Sequence, residues 1–457
     1  MSASFTLDAV NNGIVLSNFK VTLGPAIEKP EPQVNIFETK SGVPYRIPAI
    51  ATAHNGDIIA VADYRHSGAD IGMVNNGRID LRARISKDNG KTWGNIFPIV
   101  EGKGASSPDF MNVGFGDPCI VADRESDRVL VMSCAGNVSF PNGKRNHHQC
   151  IARFYSDNNG KTWSKPVDIS ESIYSQFDNS KIGACNAMFI GSGRIFQSST
   201  VKVDQYYRIY CSVLYKDVNG VNKNYVLFSD NFGDTWGVLG GVDVAPIPSG
   251  ADEPKVEELP DGSILVSSRA YGGRNYNIFN FTDSKAATGS WGSMAYSGSG
   301  NKGVVATGNS TNGEVLILPV RRASDNKPVY LALQSVPFGS GRANVGIYYK
   351  ELASLSDFVD ASAFAKNWPG KHQASRMFSA YSTMTLQKDS TIGFLYEEET
   401  FGKAYTIVYK NYSVEYITDS LYTYDPTVVP ADVVPAGIDS KYKLVKTYFG
   451  KAVGNID

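Results

Sequence analysis

Ser86-Lys87-Asp88-Asn89-Gly90-Lys91-Thr92-Trp93 returns as Ser156-Asp157-Asn158-Asn159-Gly160-Lys161-Thr162-Trp163, and again as Ser229-Asp230-Asn231-Phe232-Gly233-Asp234-Thr235-Trp236. The starts lie 70 and then 73 residues apart, and a worn fourth copy runs from Thr282-Asp283-Ser284 to Trp291. The unit is a local one. A short Asx side chain bonds its own turn, Gly permits positive φ, and Thr-Trp opens a strand whose indole packs between sheets. A calcium loop is the competing reading of Asp-Asn-Gly, and it fails because the spaced acidic ligands and the closing Glu are missing. The repeat is therefore a hairpin turn.

Working outward, apolar runs such as Ile58–Asp63, Val129–Met132 and Ile264–Val266 sit beside Asn-Gly, Asp-Gly or Ser-Gly punctuation, the pattern of hairpin strands. A spacing of 70 residues exceeds the common four-stranded blade period of about 40–50, so the blades carry long loops. Residues 35–425 have room for six blades. The expectation is an all-β, six-bladed β-propeller of four-stranded antiparallel sheets over 34–425, with short loop helices around Ser354–Lys366. An N-terminal segment and connector covers 1–33, ending in Lys29-Pro30-Glu31-Pro32, and a C-terminal extension covers 426–457.

Composition fits this. Charged residues are only 19%, while Gly (44), Tyr (25) and Phe (22) are plentiful, which favours short strands and tight turns over long charged helices. A net charge of −1 gives no basic surface for nucleic acid or an anionic membrane. Five cysteines in strand-like contexts read as buried free thiols, and the absence of CxxC and HxxxH spacing predicts no metal and no cofactor. No apolar run approaches the ~18 residues of a membrane span, and the N-terminus lacks a basic region followed by an apolar stretch. The expected compartment is the exterior, periplasm or cell surface with any export signal already absent, the cytoplasm being the other reading; the expected state is a monomer.

With Tyr45-Arg46-Ile47-Pro48 upstream of the first box, the chain resembles the sialidase family of glycoside hydrolases, the bacterial exo-sialidases and trans-sialidases, over roughly residues 35–425. The resemblance implies a sialylated glycan as partner, on a glycoprotein, glycolipid or oligosaccharide, and a carboxylate that must be gripped inside a pocket. Bidentate, always-charged Arg suits that task. By motif the three arginines are Arg46, Arg269 (closing Leu265-Val266-Ser267-Ser268-Arg269) and Arg342 (in Gly341-Arg342-Ala343-Asn344-Val345). Glu397 matches the carboxylate that orients the first of them, with Glu398 and Glu399 as neighbouring registers.

A carboxylate attacking beside the substrate's own carboxylate would suffer like-charge repulsion, and sialidases use a Tyr nucleophile instead. A phenol at pKa ~10 needs a base. Tyr381 matches the family's nucleophile and Glu253, in Ala251-Asp252-Glu253-Pro254, its base. Asp70, on a Gly-containing loop 24 residues after Arg46, matches the general acid/base, with Asp63 and Asp80 as rivals. Arg65 and Asp117 resemble contacts to the sugar 4-hydroxyl. The N-acetyl pocket would be lined by Phe110-Met111 or by Ala184–Phe189. The implied activity is a retaining exo-α-sialidase working through a sialyl-tyrosine. A trans-sialidase or an intramolecular enzyme releasing an anhydro sugar is the alternative within the class, and a non-catalytic binding propeller the alternative outside it.

Overall fold

The computed structural model describes residues 33–39, 42–308, 311–400, 403–433, 446–448 and 451–453. The expected N-terminal segment lies, apart from Gln33, outside the described residues. Six mostly antiparallel sheets of four or five strands follow one another along the chain; in the second, Gly193–Arg194 pairs parallel with Phe115–Ala122. The first strands of the six blades are Tyr45–Thr52, Phe115–Ala122, Phe196–Val203, Pro254–Glu258, Val315–Arg322 and Ser379–Leu386. They lie against one another around a common axis. This is a six-bladed β-propeller, and its helices are short: Leu355–Asp357 and Ala361–Ala365 fall within the stretch expected to hold them.

Each interface between neighbouring blades is an apolar cluster, because alternate residues of a strand face opposite sides of its sheet. Ile59, Val61 and Leu81 of the first blade meet Ile120, Val131 and Phe154 of the second. Four further clusters join the second blade to the third and so on round to the sixth. The ring closes where Ile36, Phe37 and Leu395 meet Ile50 and Ile58. Closure is a matter of strand exchange: Val34–Phe37, from before the first blade, pairs antiparallel with Lys403–Tyr412 as the outer strand of the last. Nothing in the sequence showed that this strand belongs to the sixth blade. At the other end, Tyr422–Tyr424 adds to Val315–Arg322 of the fifth blade, and Val428 and Val433 pack into its core.

The repeats occupy equivalent turns, between the third and fourth strands of blades one to three. In all three the Ser hydroxyl accepts from the Gly N–H at 2.8–2.9 Å. The residue before that Gly has φ of 55–56°. Asp88, Asn158 and Asn231 accept from the Thr N–H at 2.8, 2.9 and 2.9 Å, so the amide replaces the carboxylate without loss of the turn. The worn copy turns at the same place in blade four, where Asp283 accepts from Lys285 and Ala286 N–H. All five cysteines are buried and free. Among the described residues no helix is long and apolar enough to cross a membrane.

Candidate active site

At one end of the axis, three first strands break register. One extra residue is inserted between Arg46 and Ala49, between Gly116 and Cys119, and between Ser379 and Ser382. Such a bulge re-aims the side chains beside it. Ile47 and Asp117 are forced to φ of 51° and 54°, which is costly for a β-branched residue and uncommon for any non-glycine. Buried carboxylates hold both: Ile47 N–H donates to Glu397 Oε1 at 2.7 Å, and Asp117 N–H to Asp63 Oδ1 at 3.0 Å. In the third bulge, Tyr381 N–H donates to Glu397 Oε2 at 3.3 Å.

These bulges surround a cavity of about 310 Å³ lined by Arg46, Asp70, Asp117, Glu253, Arg269, Arg342 and Tyr381. Residues up to 335 positions apart in the chain thus share one pocket, and all three expected arginines are in it. Arg46 donates to Glu397 from Nε at 2.7 Å and from a terminal nitrogen at 3.3 Å, which fixes the fork. Glu397, not Glu398, is the orienting residue: Glu398 accepts from Ser375 Oγ instead. Arg269 donates to Glu253 Oε2 at 2.8 Å and to Tyr381 Oη at 3.3 Å. The guanidinium of Arg342 lies 5.4 Å from the Tyr381 ring centre and has no carboxylate partner among the described residues.

Tyr381 Oη donates to Glu253 Oε1 at 2.7 Å. Burial, and then the charge of Glu253, push the phenol well above its ordinary pKa, with Arg269 and Arg342 pulling the other way. The phenol is therefore neutral at neutral pH, with a proton acceptor already in contact.

Arg65 is buried against Asp63, donating from Nε at 2.9 Å and from a terminal nitrogen at 2.8 Å, and lies 3.6 Å from Asp117. Its other terminal nitrogen holds Asp70, whose side chain is 67% exposed at the pocket mouth. Partial desolvation raises the Asp70 pKa, but Arg65, followed by Arg46 and Arg342, outweighs it and the net shift is down. Burial, and then Asp63, push the Asp117 carboxyl well up. The rivals for Asp70 fall away on geometry. Asp63 is fully buried beneath Arg65, and Asp80 is bound by Arg78, Arg82 and His66 outside the pocket.

The rest of the wall comes from a loop of the first blade, through Ile71 and Met73, and from the second and third blades, through Ser139, Phe140, Pro141, Gln149 and Phe189. Of the two stretches expected here, Ala184–Phe189 contributes through Phe189. Phe110 and Met111 instead pack in the core between blades one and two. Ser139 Oγ and Gln149 Oε1, each in a residue 2% exposed, have no hydrogen-bond partner among the described residues. The loop carrying Ser139 to Gln149 holds no repeat or motif, and nothing in the sequence pointed to it.

Over 414 residues the chain is 26% identical to a sialidase of Paraclostridium sordellii, covering 87% of this chain and 92% of that one. This chain is a relative of the bacterial sialidases. A sialidase of Micromonospora viridifaciens is likewise 26% identical over 79% of this chain, which spans about half (51%) of that longer relative. Among solved structures, the intramolecular trans-sialidase of Ruminococcus gnavus superposes with a TM-score of 0.65 at 16% identity, covering 84% of this chain and 98% of that one; it shares the fold. No family model matches the chain.

Proposed function

We propose that the chain is a retaining exo-α-sialidase that releases terminal α-linked sialic acid through a covalent sialyl-tyrosine. The observation that carries this reading is the 2.7 Å contact between the Tyr381 phenol and Glu253, set among three arginines in one pocket. Such a pocket suits an anionic sugar whose carboxylate sits on the anomeric carbon. The carboxylate lies across Arg46, Arg269 and Arg342, and its charge favours a neutral nucleophile over a second carboxylate. Glu253 takes the phenol proton as Tyr381 Oη attacks the anomeric carbon. Arg269 and Arg342 stabilise the phenolate character and the oxocarbenium-like transition state acts through the same field.

Departure of the aglycone needs an acid, yet the neighbouring arginines hold the Asp70 pKa down. The substrate's carboxylate neutralises Arg46 and Arg342, two of the charges that depress Asp70, so the group gains its proton as the glycoside binds. The same residue then deprotonates water to release the sugar with retention. Arg65 and Asp117 lie where the 4-hydroxyl falls. The substituent on the carbon across the ring from the carboxylate points at the rest of the wall. There Gln149 Oε1 accepts an amide N–H, and Phe140, Pro141 and Phe189 enclose a small acyl group.

Proton NMR of a sialyllactose digest tests the reading. Free sialic acid appearing first as the α-anomer is the expected result. Release of the β-anomer first would overturn retention, a 2,7-anhydro product would make the enzyme intramolecular, and an unchanged substrate would leave a binding propeller.

A further inference from the structure

A second polar layer lies on the axis immediately beyond the Glu253–Tyr381 pair. Residues two apart on a strand share a face, so Lys255 follows Glu253 on the fourth blade and Thr383 follows Tyr381 on the sixth. Glu314, 1% exposed and entering from the fifth blade, joins them. Its Oε2 accepts from Thr383 Oγ1 at 2.9 Å and lies 3.6 Å from Lys255 Nζ. Lys255, fully buried, also donates to the carbonyl of Ser192. Asn312 closes the layer, donating to Ser192 Oγ at 3.0 Å and accepting from Ser382 N–H at 3.4 Å. Gly193, at φ +103°, presses its backbone on the same spot: a Cβ there would collide with Lys255 Nζ and crowd Thr383 Oγ1.

Beyond this layer Arg194 reaches Glu257 at 2.6 Å and Glu314 at 3.8 Å, above a second cavity of about 260 Å³ at the opposite end of the axis. The layer thus separates two cavities with polar side chains where apolar ones would pack. A buried ion pair is weak support for stability, since hydrophobic replacement is often neutral or better. Its position is better explained by the pair it backs. The base and the nucleophile come from non-adjacent blades, and their separation depends on how the fourth and sixth blades are held across the axis.

We propose that Glu314 is a positioning residue, which ties Lys255 to Thr383 and so fixes Glu253 against Tyr381 at the distance proton transfer needs. The inference rests on the sialidase reading above. A shift of about 1 Å in such a pair is enough to slow a reaction ~100-fold without loosening substrate binding at the arginines.

The test uses Thr383→Val, which keeps the shape and deletes the bond to Glu314, with Thr383→Ser as the conservative rescue and Glu314→Gln as a second variant. Each is assayed on an aryl α-sialoside and melted in parallel. The expected result is a kcat at least tenfold lower for Thr383→Val and Glu314→Gln, with KM within twofold of the unmodified protein, and recovery of most of the rate in Thr383→Ser. An unchanged kcat in Thr383→Val, or a loss that Thr383→Ser fails to restore, would overturn the inference. If Thr383→Val does not fold, Glu314→Gln decides by the same kcat and KM criteria. An unmodified protein inactive on every sialoside would instead sink the sialidase reading itself, which keeps the two failures apart.

Discussion

Glu397 and Tyr381 are joined through the backbone: the Tyr381 N–H donates to Glu397 Oε2 at 3.3 Å, while Glu397 Oε1 accepts from Arg46 Nε and from Ile47 N–H, both at 2.7 Å. One buried carboxylate therefore fixes the first of the three pocket arginines and the bulges on which two of the pocket residues stand. Converting it to an amide removes the charge and at least one acceptor. Glu397→Gln should lower kcat and raise KM together, cutting kcat/KM about 100-fold, because both the arginine and the tyrosine are displaced. Charged hydrogen bonds of this kind contribute about 1.5–3 kcal/mol each, so the melting temperature should fall as well. Steady-state kinetics with a thermal melt checks this; a change confined to KM would confine Glu397 to the arginine.

Asp70 carries a prediction on leaving groups and on pH. Asp70→Ala should slow natural sialosides far more than aryl sialosides, whose leaving groups need little protonation. The sign of the pH effect follows from the downward shift that Arg65, Arg46 and Arg342 impose. A depressed carboxyl loses its proton at lower pH, so kcat/KM, which reports free enzyme, falls on the alkaline side early. Once the substrate's charge offsets Arg46 and Arg342, the group holds its proton to higher pH, so the alkaline limb of kcat lies above that of kcat/KM. Full pH profiles on a natural trisaccharide and an aryl sialoside test this, and coincident limbs on the natural substrate would contradict it.

The fold was legible where the chain repeats itself. Three octapeptides reported hairpin turns because every contact that makes such a turn is local, from the Ser hydroxyl to the Gly N–H four residues on. The blade number followed from spacing. The closing strand Val34–Phe37 was hidden because its partner, Lys403–Tyr412, is more than 360 residues away and no local signal records such a pairing. In the site, Arg46, Arg65, Asp70, Asp117, Glu253, Arg269, Arg342, Tyr381 and Glu397 were read from motifs, and the structure brings all nine together. Their carriers, the bulges at Ile47, Asp117 and Tyr381, were not visible, since positive φ at an Ile or Asp is imposed by tertiary contacts. The wall at Ser139–Gln149 was missed for a similar reason: it is a loop without repeat or motif, positioned by the blades around it. Asp63 was read as a rival acid, and its burial gives it another task, holding Arg65 and the Asp117 N–H.

That wall supports a prediction of its own. Gln149 Oε1 is buried and without a partner among the described residues, and leaving such a group unmatched costs about 1–3 kcal/mol. Gln149→Leu should therefore raise KM for N-acylated sialosides about tenfold, with little change for a sialoside bearing a hydroxyl in place of the acylamino group. Competition kinetics between the two substrates measures the ratio; equal effects on both would remove Gln149 from recognition of that substituent.

The most direct measurement concerns the covalent intermediate on Tyr381. A 3-fluorinated sialosyl fluoride slows turnover of the glycosyl-enzyme, so intact-mass spectrometry followed by peptide mapping can locate the trapped sugar. The expected result is one added fluorosialyl group on the peptide containing Tyr381, absent from Tyr381→Phe, whose kcat falls at least 1000-fold. A label on Glu253 or Asp70, or rapid turnover in Tyr381→Phe, would contradict the assignment of Tyr381 as the nucleophile.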